Sequence, residues 1–170
     1  MRIEMRIELK VLNKEFYRVD KLGGSYYDIP DYQTDGAAAI DLVATKDYTI
    51  MPGETVAIPT GLALHIGSAS GNGFLQGGNY MGMIAPRSGL GSKGLVLANT
   101  IGIIDEDYQG EIIIQAWNRT FAFPEKIEIG AGDRFAQLLF VPIIKPQFKI
   151  VDEFSSATSR SAGGFGSTDE

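Results

Sequence analysis

The chain has 170 residues, of which 44% are hydrophobic and 21% charged, with a formal net charge of −6 and no cysteine. That length allows one domain with a real core, and the absence of cysteine excludes disulfides, thiolate zinc sites and cysteine nucleophiles. The acidic balance argues against long nucleic acid, which needs a basic face, but leaves room for a small phosphorylated ligand held by a few cations and backbone amides.

The first residues, MRIEMRIELKVLNKEF, mix charge with apolar side chains and do not read as a signal peptide. No stretch approaches the ~18 apolar residues of a membrane helix. A cytoplasmic setting is expected, nuclear or host-cell cytoplasm for a eukaryotic or viral source. Ile7 to Leu12 reads as a first strand, and Ala37 to Ala44 as a half-buried extended segment. DYTIMPGETVAIPTGLALHI then reads as strand, a turn at Pro52-Gly53, strand, a second break at Pro59 to Gly61, and strand. Gly67 to Gly82 is a glycine-rich connection. Its GNGFLQG only faintly resembles a dinucleotide fingerprint, because no βαβ unit surrounds it. A short helical turn is expected near Ser88 to Lys93. Asn99 to Ile112 reads as a hairpin, and Glu111 to Asn118 and Lys126 to Gly130 as further strands. Asn118-Arg119-Thr120 matches a glycosylation sequon and is read as chance. RFAQLLFVPIIKPQFKIV carries Pro142 and Pro146 and a β-branched tail, which favour strands with breaks over helix. The pattern predicts an all-β double-sheet fold.

Four polar clusters interrupt this text. Asp41 sits inside the apolar run Ala39 to Leu42, either facing outward on an edge strand or serving a site. In APRSGLGSKG, Arg87, Ser88 and the amides around Gly89 offer an anion-binding set or a charged turn. Asn99 carries an amide able to read a base edge, ahead of Asp105, Glu106, Asp107 and Glu111. Those acids form either a solvated turn or a general base or metal ligand. Gln137 interrupts the strand after Asp133-Arg134. The single histidine, His65, lies in an apolar strand and reads as structural. The end of the chain, SRSAGGFGSTDE, places one phenylalanine among glycines after an arginine. It is either a disordered tail or an arm that folds over a flat anionic ligand.

In order, these clusters resemble the five motifs of the trimeric dUTPases: Ala39 to Ala44, Pro86 to Leu90, Asn99 to Ile112, Gly132 to Phe140 and Arg160 to Thr168. PRSGL, GIIDEDYQGEI and GGFGST in that order form a specific combination. The resemblance runs from about Ile29 to the end. It implies a jelly-roll-like subunit of the dUTPase β-clip type, with one β domain over 1–158 and a flexible glycine-rich arm over 159–170. It implies a homotrimer with sites at subunit interfaces, and no membrane partner. The implied reaction is Mg2+-dependent hydrolysis of dUTP to dUMP and pyrophosphate, which limits uracil in DNA and supplies dUMP for thymidylate synthesis.

The resemblance also assigns roles. Asp105 would activate the attacking water. Arg87, Ser88, Gly89 and Gln137 would hold phosphates. Asn99 and the following backbone, Gly102 included, would read uracil, with Tyr108 under the deoxyribose. Asp41 would support the site. Phe165 would stack on the base, while Arg160, Gly166, Ser167 and Thr168 would grip the triphosphate from the arm. Magnesium would be held mainly by the phosphates. Ala39 and Ser161 stand where the family usually has glycine. A dCTP deaminase shares the fold but needs a glutamate where this chain has Gln115. A nucleotide-dependent interaction module and a purely structural jelly roll are the other rivals.

Overall fold

The computed structural model describes residues 7–14, 30–67, 79–121, 125–159 and 161–162. In chain order they form β1 (Glu8–Val11), β2 (Ile40–Val43), β3 (Tyr48–Ile50), β4 (Thr55–His65), β5 (Asn79–Pro86), α1 (Ser88–Gly91), β6 (Leu95–Leu97), β7 (Gly102–Ile104), β8 (Glu111–Asn118), β9 (Ile127–Ile129) and β10 (Arg134–Ile143). One sheet runs β1-β4-β8-β6, a second runs β2-β10-β5-β7, and β3 pairs with β9. Neighbouring strands are antiparallel throughout. The fold is an all-β, jelly-roll-like double sheet.

Alternation decides which faces meet. On β8, Ile112, Ile114 and Ala116 are buried while Ile113 and Gln115 point outward. They join Ile58, Leu62 and Leu64 of β4, Ile84 of β5 and Phe135 and Leu138 of β10 in one core. Burial of this apolar surface is the main force holding the sheets together.

Two expectations needed correction. The predicted break at Pro59 to Gly61 is a bulge inside one continuous strand, with the β4–β8 register shifting between Pro59 and Ala63. Gly61 has φ +72° there, a conformation that glycine adopts freely. Its amide donates to Glu111 Oε1 at 2.9 Å, and Thr60 Oγ1 donates to the Ile112 carbonyl at 2.9 Å. Glu111 therefore serves the fold, not the acidic turn beside it. Second, Asn99 to Ile112 is not a hairpin. β7 pairs with β5 in one sheet, and β8 pairs with β4 and β6 in the other. Gly102 favours this placement: a Cβ there would sit 3.0 Å from the Ile84 Cβ, so a larger residue would crowd the close approach of β7 to β5. The segment is a crossing between sheets.

Three smaller differences follow. Only Ile40–Val43 of the 37–44 segment is strand, and β5 already begins at Asn79. β10 carries Pro142 near its end, and residues 144–151 then run without strand pairing. The short helix falls where it was expected. No helix among the described residues is long and apolar enough to cross a membrane.

The sequon is structural. Asn118 is fully buried, and its Nδ2 donates to the Ile50 and Glu125 carbonyls at 3.1 and 3.0 Å. Its Oδ1 accepts from the amide and hydroxyl of Thr120 at 3.1 and 2.7 Å. Asn118→Ala strands these partners and is expected to cost about 3 kcal/mol in denaturant unfolding at fixed protein concentration. A cost below about 1 kcal/mol would contradict this role.

Candidate active site

The first group of site residues is assembled by β10. Gln137 pairs with Asp41 of β2 on one side and with Ala85 of β5 on the other. Directly paired residues project from the same face of a sheet, so these side chains form one row. Arg87 follows β5 at the end of that row. The Asp41 carboxylate, 13% exposed, accepts from Arg87 Nε at 2.8 Å and from an Arg134 guanidinium nitrogen at 3.2 Å. The same nitrogen of Arg134 donates to Gln33 Oε1 at 3.1 Å. Gln137 Nε2 donates to the Pro86 carbonyl at 3.1 Å.

Arg134 was not expected here. Strict alternation places it on the face opposite to Gln137. The β10–β2 register shifts between Arg134 and Ala136, which sets Arg134 opposite Val43 and on the face of Asp41. The signal in the sequence is Phe135-Ala136, two consecutive residues that are both buried.

Asp41, Arg87, Ser88, Gly89, Lys93 and Gln137 line a cleft of about 730 Å³. Lys93, which no motif in the sequence marks as a site residue, adds an ammonium to this lining. By helix geometry, the amides of Ser88 and Gly89 point out of the first turn of α1 without an intrahelical acceptor. The cleft thus combines a guanidinium held in a fixed orientation, an ammonium, a hydroxyl and free amides, which is the chemistry of an oligophosphate site. A second cleft, about 900 Å³, adjoins it at Leu90 and Lys93 and holds none of the predicted site residues.

The second group lies on the crossing around β7. Asn99 is exposed at a tight turn in which the Ile101 amide donates to the Asn99 carbonyl at 2.8 Å. Thr100, between them, has φ +70°, a strained value for a residue with a side chain. Asp105 is exposed, and its carboxylate makes no hydrogen bond to a described residue. The Tyr108 amide donates to the Asp105 carbonyl at 3.2 Å, closing the turn. Tyr108 Oη donates to the Glu111 carbonyl at 2.9 Å. Its ring lies over Gly110, where a Cβ would collide with it. The ring is held as a partly exposed platform.

Within one subunit the two groups are apart. Asp105 follows Ile104, which pairs with Gly82 in the middle of β5, whereas Arg87 lies just beyond the C-terminal end of that strand. Five residue steps at ~3.3 Å give about 16 Å between Gly82 and Arg87. The arm residues Arg160, Phe165, Gly166, Ser167 and Thr168 lie outside the described residues. Gln115 faces outward on β8, exposed and away from the cleft lining. His65 pairs with Glu8 at 2.9 Å at the end of β4.

A cleft lined by anion-binding donors and a separate carboxylate turn on a jelly-roll-like fold narrow the possibilities, and known proteins narrow them further. The dUTPase family model matches residues 25–169. The chain belongs to the dUTPase family. It is 47% identical over 163 residues to a deoxyuridine 5'-triphosphate nucleotidohydrolase of Shewanella piezotolerans, covering 94% of each chain. It is 47% identical over 167 residues to the protein of that name from Francisella philomiragia, covering 96% of this chain and 99% of the relative. Among solved structures, the dUTPase of Staphylococcus bacteriophage 80alpha with dUPNHPP superposes with a TM-score of 0.75 at 27% identity, covering 95% of this chain and 97% of that one. A mutant dUTPase from phage phi11 of S. aureus, in which a structural Mg(II) ion is coordinated, gives 0.70 at 25% identity over 89% and 99%.

Asp41→Ala removes the carboxylate that orients two arginines of this dUTPase-family cleft. Its affinity for inorganic pyrophosphate, read by calorimetry, is expected to fall about tenfold, as for loss of one charge-assisted contact. Unchanged affinity in a folded variant would remove Asp41 from the site.

Proposed function

We propose that this dUTPase-family chain hydrolyses dUTP to dUMP and pyrophosphate at sites built between the subunits of a homotrimer. The observation that carries the shared site is the separation, along β5, of the Asp105 turn from the Arg87 cleft. A backbone separation of about 16 Å between the strand positions beside Asp105 and Arg87 favours pairing each group with one from a neighbouring subunit over pairing them within one chain.

Exposed apolar surface supports the assembly. β7 is the edge of its sheet, and Ile101, just before it, and Ile103, on it, lie exposed near the Asp105 turn. Beyond β10, Ile144, Phe148, Ile150 and Phe154 are 90, 90, 97 and 91% exposed. That much unpartnered apolar side chain in one segment is abnormal for a monomer. Burial of about 25 cal/mol per Å² against second copies would compensate for ordering it.

Chemically, the Asp105 carboxylate accepts a proton from a water as that water forms a bond to the α-phosphorus. The bond from that phosphorus to the bridging oxygen breaks, and pyrophosphate leaves with the electron pair. Arg87, held by Asp41, together with Ser88, Gly89, Lys93 and Gln137, holds the phosphates. Asn99 and the adjoining backbone read the uracil edge, and the Tyr108 ring excludes a 2′-hydroxyl. No cluster of three metal-ligating side chains exists among the described residues, and Asp41 is already engaged by two arginines. These donors suit magnesium that arrives bound to the triphosphate as part of the substrate. Its charge would stabilise the leaving pyrophosphate. Residues 159–170 form an arm that closes over the bound nucleotide, with Phe165 on the base. Ordering it costs conformational entropy, so substrate contacts drive closure.

The test is pyrophosphate release from dUTP, dCTP, dTTP and UTP, with magnesium or with excess EDTA. Release selective for dUTP and dependent on magnesium is expected, with kcat lowered about a thousandfold or more in Asp105→Asn. Ammonia release from dCTP, or no turnover by folded protein, would overturn the assignment.

A further inference from the structure

The turn that carries Asp105 is anchored through the next residue. Glu106 is an acid in a run of acids, which the sequence alone leaves as part of a solvated turn. In the fold it is the least solvated of them. Its side chain is 24% exposed, and Oε2 is buried without a hydrogen-bond partner among the described residues. Oε1 receives the Lys145 ammonium at 2.5 Å. The Glu106 carbonyl accepts the Gly67 amide at 2.9 Å. One residue thus joins three parts of the chain: the end of β4, the Asp105 turn and the start of the segment beyond β10.

Lys145 occupies a telling place. It is the second residue after β10 and directly precedes Pro146. A residue before proline is restricted to extended backbone, so the chain direction at Lys145 is narrowed already. Its side chain is then fixed on Glu106. The exposed apolar residues Phe148, Ile150 and Phe154 follow immediately. The direction in which that segment leaves the subunit and the position of Asp105 are therefore held by the same ion pair.

We propose that Glu106, gripped by Lys145, is a positioning residue that aligns Asp105 and couples that alignment to the departure of the C-terminal segment toward a neighbouring subunit. This rests on Asp105 as the water-activating carboxylate. Glu106 touches no reacting atom. It holds the backbone of the turn, so that the Asp105 carboxylate meets the water at one angle. Misplacement by a fraction of an ångström lowers the chemical step more than it lowers binding. Because Oε1 alone is compensated, removing the ammonium leaves a poorly solvated carboxylate that must move toward water and take the turn with it.

The experiment compares Lys145→Met, Glu106→Lys, Lys145→Glu and the swapped pair Glu106→Lys with Lys145→Glu, together with Asp105→Asn, in dUTP hydrolysis. Lys145 is half exposed, so Lys145→Met is expected to fold, and thermal unfolding checks each variant. The expected result is a fall of about tenfold in kcat for the single variants with KM within about twofold, and recovery in the swapped pair to within about threefold of the parent. Unchanged kcat in Lys145→Met, a change confined to KM, or a folded swapped pair no better than the singles would each overturn the proposal. Asp105→Asn separates the two layers. If it retains activity, the assignment of Asp105 fails. If it is inactive while Lys145→Met is normal, only the positioning role fails.

Discussion

Strand β10 pairs with β2 along one edge and β5 along the other, and its register sets what the cleft contains. Gln137 opposite Asp41 and Ala85 brings three distant parts of the sequence into one row. The bulge before Ala136 then turns Arg134 onto the same face. A slip of one residue in this pairing would send every side chain of β10 to the opposite face, with Phe135 and Leu138 leaving the core. The hydrophobic core and the polar cleft thus specify the same register. Asp41 benefits most. Its low exposure would be costly without compensation, and two guanidinium groups provide it. In return the carboxylate holds Arg87 ready at the mouth of α1.

The same sheet keeps the two halves of the chemistry apart. The strand leading to the Asp105 turn leaves β5 near its middle, at Gly82, whereas Arg87 follows its C-terminal end. The proposed trimer would resolve this, because one subunit's turn could face the next subunit's cleft. Exposed isoleucines at and just before β7 and the apolar segment after β10 would give the proposed assembly its driving force. The ion pair of Lys145 with Glu106 stands where these two features meet.

Much of this was legible in the sequence, for local reasons. The β-rich run Glu111 to Asn118 could be read as a strand with its limits, although three consecutive isoleucines hide that Ile113 faces outward. The turn at Pro52-Gly53 and the helical turn after Arg87 carried their own chemistry. What failed was non-local. The Pro59 to Gly61 stretch looks like a break because its bulge is completed by Glu111 and Ile112, about fifty residues away in sequence. Asn99 to Ile112 looks like a hairpin because nothing local reveals that Gly102 must lie against Ile84. Arg134 was missed because alternation ignores bulges. The roles expected of Arg160, Phe165, Gly166, Ser167 and Thr168 rest on family resemblance, and these residues lie outside the described structure.

The central claim is a site shared between subunits, and subunit mixing tests it most directly. Asp105→Asn and Arg87→Ala, each inactive alone, are unfolded together, refolded as mixed trimers and assayed on dUTP. If Asp105 and Arg87 come from different subunits, random mixing at equal amounts gives about a quarter of sites with both native residues, and activity returns to that order. If both residues of a site come from one chain, no mixed trimer contains an intact site. Mixed trimers as inactive as the parents would contradict the account.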